Sequence, residues 1–191
     1  MKTFTKNLSM TKGPTMRRWL AALLLPWALG ACSSLLPAPA PSPAIYDLGA
    51  PGAAVAAPIR AVDVDAPDWL DSNGMLYRLG DPQRVQRFTE ARWAASPGNL
   101  LEERLRQRLV PKASGATLYI GLESFEQRFS TATQSEVCVR VRAKLGERQQ
   151  VFEIKRPGGT DAASGARALA TASDALIEQM LAWAASAPTA Q

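Results

Sequence analysis

The chain has 191 residues, with 22 Lys and Arg against 17 Asp and Glu, two cysteines and no histidine. The missing imidazole excludes Ser-His-Asp and Cys-His catalysis and any metal site built on histidine. The net charge of +5 arises within residues 1–31, which hold Lys2, Lys6, Lys12, Arg17 and Arg18 and no acid; the rest carries 17 cations and 17 anions, so nothing in the balance points to nucleic acid.

Residues 1–31 read as a signal peptide. Arg17 and Arg18 precede an eleven-residue apolar run, Trp19 to Leu29, which has the length of an h-region and is too short to span a bilayer. Met10 and Met16 are alternative starts to Met1. Leu29-Gly30-Ala31-Cys32 resembles the bacterial lipobox, in which the chain is cut before a cysteine whose sulfur is lipidated. Cys32 is therefore the expected lipidation site, and Cys138 is left without an intramolecular partner. Residues 32–44 follow as a tether. Pro37, Pro39, Pro41 and Pro43 keep it extended, with a reach of about 37 Å at roughly 3.1 Å per residue.

A single domain is expected over 45–186, with a flexible tail at 187–191. Tyr46-Asp47-Leu48 reads as a short first strand, and the Ala- and Pro-rich stretch 50–58 as a loop. In Arg60 to Asp65, Val62 and Val64 point one way and Asp63 and Asp65 the other, the signature of a half-buried strand. Asp71-Ser72-Asn73-Gly74 reads as a turn with Gly74 at positive φ, and Met75 to Leu79 and Arg84 to Trp93 read as strands. Ser96 caps a helix with Pro97 at its first position; Leu101, Leu105 and Leu109 share one face, Glu102 pairs with Arg106, and Pro111 ends it. Arg104 and Arg108 share a face and are expected to be solvated. Thr117 to Glu123 alternates as a strand. Val137 to Leu145 does so most clearly, with apolar odd positions and Cys138, Arg140, Arg142 and Lys144 at the even ones. A four-residue turn about Gly146-Glu147 would set Arg142 opposite Glu153 on the returning strand, which runs from Val151 to Arg156. After Gly158-Gly159, residues 161–184 form an Ala-rich amphipathic helix with Ala162, Ala166, Leu169, Leu176, Met180 and Trp183 on its stripe. The fold class is α+β: a mainly antiparallel sheet with two amphipathic helices packed on one face.

No constellation carries chemistry. Asp63 to Asp68 and Asp71 to Gly74 fail the calcium-loop spacing, because position 5 is Pro67 or Met75. The cations Arg140, Arg142 and Lys144 are read as a solvated sheet face balanced by Glu153. Trp69, Tyr77 and Trp93 either fill a core or line a lipid groove, and the sequence leaves both open. Trp69, Leu70 and Tyr77 flank the 71–74 turn and are candidate partner contacts. No catalytic, cofactor-binding or metal-binding residue is assigned, and the chain does not read as an enzyme.

Several of these segments together resemble a known family. Tyr46-Asp47-Leu48, Val62 to Asp65, Ala66-Pro67-Asp68-Trp69-Leu70-Asp71-Ser72 with Met75-Leu76-Tyr77-Arg78, and Arg92-Trp93-Ala94-Ala95-Ser96-Pro97 with Leu100, Leu101 and Leu105 look like the ABC-type transport auxiliary lipoproteins, the PqiC-like or YmbA-like proteins. The resemblance implies a non-catalytic lipoprotein of the Gram-negative outer membrane, acylated (palmitate) and facing the periplasm. Its implied partners are an MCE-domain protein of an ABC lipid-transport system, the membrane through the anchor, and further copies of itself. Ser33 after the cysteine, where Asp would retain the chain at the inner membrane, agrees with outer-membrane sorting. The alternative reading is a lipoprotein that stabilises the envelope without a transporter.

Overall fold

The computed structural model describes residues 42–186, which form a compact unit with a continuous core of its own. The leader, Cys32 and most of the tether, and the 187–191 tail, lie outside the described residues.

Nine strands and two helices are arranged around one seven-stranded sheet. The strands are β1 (Ala44–Tyr46), β2 (Val55–Ala56), β3 (Ile59–Asp65), β4 (Gly74–Leu79), β5 (Gln86–Trp93), β6 (Leu109–Val110), β7 (Ala116–Thr131), β8 (Gln134–Leu145) and β9 (Arg148–Pro157). Helix α1 is Pro97–Arg108 and α2 is Ala162–Ala185. The sheet runs β1-β5-β4-β7-β8-β9, and β3 lies beside the first half of β7, on the edge that β4 takes farther along. The sheet is mixed and mostly antiparallel. The β7–β8, β8–β9 and β4–β5 pairs are antiparallel, while β1–β5, β3–β7 and β4–β7 are parallel.

The 16-residue β7 organises the molecule. Leu118, Ile120 and Leu122 point into the core. A bulge between Leu122 and Ser124 then inverts the parity, so Phe125 and Gln127 point in and Ser124, Glu126 and Arg128 point out. That one extra residue is why the alternation stops at Glu123 in the sequence while the strand continues to Thr131.

Both helices cover the inner face. Helix α1 sets Leu101 and Leu105, both fully buried, against β3, and Gly98 approaches Val64 and Ala66. Helix α2 lies across β8 and β9. Its N-terminus is a capping box in which Asp161 and Ser164 satisfy each other's backbone N–H groups. Gly165 lets this first turn sit directly on β7, since a Cβ there would stand 2.1 Å from Gln127 Oε1. The rest of the stripe, Leu169, Leu176, Ile177 and Met180, is buried, and Trp183 meets Phe152 edge-on at 5.7 Å.

Several expectations need correction. β1 begins at Ala44, inside the proposed tether, and Asp47 and Leu48 follow it outside the strand. The 50–58 stretch contains β2, which pairs in parallel with β6. Helix α1 stops at Arg108, before Pro111, because Leu109 turns extended into β6. The Ser96 side chain makes no capping bond. Gly74 does not take positive φ. It opens β4, where a Cβ would come within 2.8 Å of the Arg87 side chain. The β8–β9 turn is the two residues Gly146-Glu147, with Gly146 at φ +58°, so Arg140 rather than Arg142 lies opposite Glu153. Arg104 and Arg108 are not solvated, being only 2% and 9% exposed. Arg104 donates to the carbonyls of Leu48 and Gly49, and Arg108 Nε donates to Ala53 O at 2.9 Å. Both guanidinium groups lie 3.7 Å from Asp174 of α2. These two arginines bind the segment after β1 into the seam between the helices.

Candidate interaction surface

The sheet outruns its helices. At about 3.3 Å per residue β7 is about 53 Å long, whereas α2 at 1.5 Å per residue covers about 36 Å. The first turn of α2 caps Gln127, whose amide nitrogen donates to Ser135 Oγ at 2.8 Å and Gly158 O at 3.1 Å. Beyond that point the inner face of β4, β5 and β7 carries a half-exposed aromatic cluster. The Tyr77 and Phe88 rings lie 4.6 Å apart, and Phe129 stands edge-on to Tyr77 at 6.0 Å. Tyr77 Oη donates to Gln86 Oε1 at 3.3 Å. Leu79, in register with Phe129, is 44% exposed. Three partly buried rings beside an exposed leucine at the end of a sheet form the kind of patch that partners cover, with Tyr and Phe as typical anchors.

The outer face is polar and internally matched. Glu126, 1% exposed, accepts from Arg78 Nε at 2.8 Å and Arg128 Nε at 2.7 Å. Glu123, on the bulge, accepts from Arg140 at 2.8 Å and Arg142 at 2.9 Å. The bond from Arg140 holds the Glu123 carboxyl below its ordinary range. Arg140 also reaches Glu153 at 3.3 Å. The balance by Glu153 was legible in the sequence. The larger share, from Glu123, was not, because the break in alternation at Glu123 reads as the end of a strand rather than as a bulge that aims its carboxylate at β8. Cys138 lies beneath this network, fully buried; burial raises its thiol pKa, and Sγ lies 3.4 Å from Glu153 Oε1.

The remaining candidate residues separate. Trp69 stands on the loop between β3 and β4, 38% exposed. Leu70 is 1% exposed and belongs to the core, so it is not offered to a partner. Tyr77 joins the aromatic patch. Trp93 is core, packed edge-on against Phe125 at 5.4 Å. Phe88 and Phe129 were missed: Phe88 sits on a strand whose other positions are largely polar, and Phe129 lies beyond the bulge. Asp63, Asp65, Asp68 and Asp71 are exposed, and no metal-binding group of three acids or cysteines occurs among the described residues. No helix among them is long and apolar enough to cross a membrane.

No protein-family profile and no curated protein matches the chain. Solved structures do match. One is protein XCC0632 from Xanthomonas campestris, of family DUF330, with a TM-score of 0.57 at 18% identity, covering 75% of this chain and 92% of that one. A second, titled only as an uncharacterized protein, has a TM-score of 0.59 at 14% identity and covers 75% of this chain and 99% of the other. At these identities the likeness is one of fold, and the chain shares the architecture of a DUF330 protein.

Proposed function

We propose that this chain is a non-catalytic auxiliary lipoprotein, anchored in the outer membrane through Cys32 and docking in the periplasm onto an MCE-domain protein of an ABC lipid-transport system. The observation that carries the reading is the shared fold with a DUF330 structure, DUF330 being the PqiC-like family that the sequence resembles. The lipobox at Cys32 supports the anchor, and the uncovered Tyr77–Phe88–Phe129 patch supports docking. The Pro-rich sequence after Cys32 fits a spacer that lets a domain reach a partner away from a bilayer.

The test uses the full chain in the envelope. Labelling with a palmitate analogue should mark the wild type and not Cys32→Ala. A photo-crosslinking residue in place of Phe88 should capture an MCE-domain protein, and Leu79→Glu should abolish that adduct while the fold melts normally. A labelled chain that crosslinks to no transporter component would favour the envelope-stabilising reading; an unlabelled wild type would overturn the anchor.

A further inference from the structure

A large open cavity lies at the end of the sheet opposite the aromatic patch, where the β8–β9 turn, the segment after β6, the β2 region and the last turn of α2 converge. It is an open groove of about 1050 Å³, walled by Ala56, Pro58, Val110, Pro111, Leu145 and Ala185. Val110, on the wall, is 50% exposed, so the described residues do not cover this apolar surface.

One wall of the groove is built by backbone contacts. Lys112 N donates to Ile59 O at 2.9 Å, Ala116 N to Pro58 O at 3.2 Å, and Gly115 N to Lys112 O at 2.8 Å. Gly115 is required there, because a Cβ would stand 2.6 Å from the Pro58 backbone carbonyl. The opposite wall is fixed by Arg148, whose guanidinium lies 4.6 Å over the Trp183 ring while Nη2 donates to Trp183 O at 3.2 Å. A cleft held this way exists before its ligand arrives, and its size is at the upper end of the roughly 300–1,000 Å³ range of small-molecule sites.

The charge at its rim selects the ligand. Lys112 and Arg148 line the groove, and neither forms an ion pair among the described residues. Arg148 Nη1 has no hydrogen-bond partner. Glu147 is the single acid among the lining residues. Apart from Ser114, the remaining lining residues are Ala, Pro, Val, Leu and Gly. We infer that this groove binds a single-chain amphiphile with an anionic head: an acyl chain along Ala56, Pro58, Val110 and Leu145, with a carboxylate or phosphate held at Lys112 and Arg148. The inference rests on the groove alone and stands apart from transporter docking.

The test titrates the compact unit, residues 42–191, with saturated fatty acids of ten to sixteen carbons and with hexadecanol, all below their micellar concentrations. Affinity should rise by up to about fourfold for each methylene the groove covers. Lys112→Gln should weaken hexadecanoate about tenfold and leave hexadecanol unchanged, and Ala56→Trp, on an exposed strand, should abolish both while the circular-dichroism melt stays in place. No binding, no dependence on chain length, or binding indifferent to Ala56→Trp would overturn the proposal. So would a large gain in affinity on deleting residues 187–191, since the chain's own tail would then be the occupant. Failure here leaves the envelope crosslink untouched, and failure of the crosslink leaves the groove untouched.

Discussion

Arg104 and Arg106 are the same residue type, two positions apart on the same helix, and truncating each should have very different consequences. Arg106 is 59% exposed and pairs with Glu102 one turn earlier, an arrangement that contributes about 0.3–0.5 kcal/mol. Arg104 is 2% exposed, donates to the Leu48 and Gly49 carbonyls and lies 3.7 Å from Asp174. A hydrogen bond from a charged donor is worth about 1.5–3 kcal/mol, and removing the donor leaves acceptors with no replacement inside the seam. Asp174 Oδ1 is itself buried but keeps Arg108 at 3.7 Å, so its loss of one of two partners adds little. Arg104→Ala should therefore cost about 3 kcal/mol and Arg106→Ala under about 0.5. For a domain near 150 residues this lowers the melting temperature by roughly 6–12 °C in the first case and about 1–2 °C in the second. Arg104→Lys should fall between, because one ammonium cannot serve both the two carbonyls that Nη2 reaches and the Asp174 carboxylate that Nε faces. Amide hydrogen exchange should also show residues 47–53 opening in Arg104→Ala before the sheet does. Equal melting temperatures for the two alanine variants would refute the view that Arg104 ties the N-terminal segment to the helices.

Other outcomes follow from the same structure. Trp93→Ala, at a site 1% exposed and packed on Phe125, should cost about 3–5 kcal/mol by urea unfolding, whereas Trp69→Ala, 38% exposed, should cost under about 1; the reverse order would mean the core is misplaced. The Asp161 carboxyl is held low by its bond to Ser164, and that of Glu123 by Arg140. A depressed folded pKa gives stability that is present above the unfolded value near 4 and is lost as pH falls through the folded one. Melting temperature should therefore drop as pH falls below about 4, less steeply in Asp161→Asn, which keeps an acceptor and cannot titrate; superimposable profiles would remove the cap from the account. The Cys138 thiol, fully buried with its pKa raised by burial, should resist iodoacetamide at pH 8 in the native protein and react at once in urea; prompt native labelling would contradict its placement.

What the sequence determined by itself is local. Period-two alternation marked β3, the first half of β7 and most of β8, because every second side chain must face the core. Ser96-Pro97 and the Ala-rich stripe marked the two helices, since capping and 3.6-residue spacing are properties of short segments. Tertiary structure decided whatever depends on what stands opposite. One bulge reversed the inward parity of β7 and turned Glu123 toward Arg140 and Arg142. Arg104 and Arg108, at i+3 and i+7 from Leu101, share the leucines' face, and only the packing of α2 and the segment after β1 supplies the groups that let these charges be buried there. A two-residue turn moved the β8–β9 register, and with it the partner of Glu153. The aromatic patch and the groove belong to this second kind. Tyr77, Phe88 and Phe129 lie on three strands, and Ala56, Val110 and Leu145 come from segments far apart in the chain. Their meeting depends on sheet order and on where the helices stop, which the spacing within any one segment does not encode.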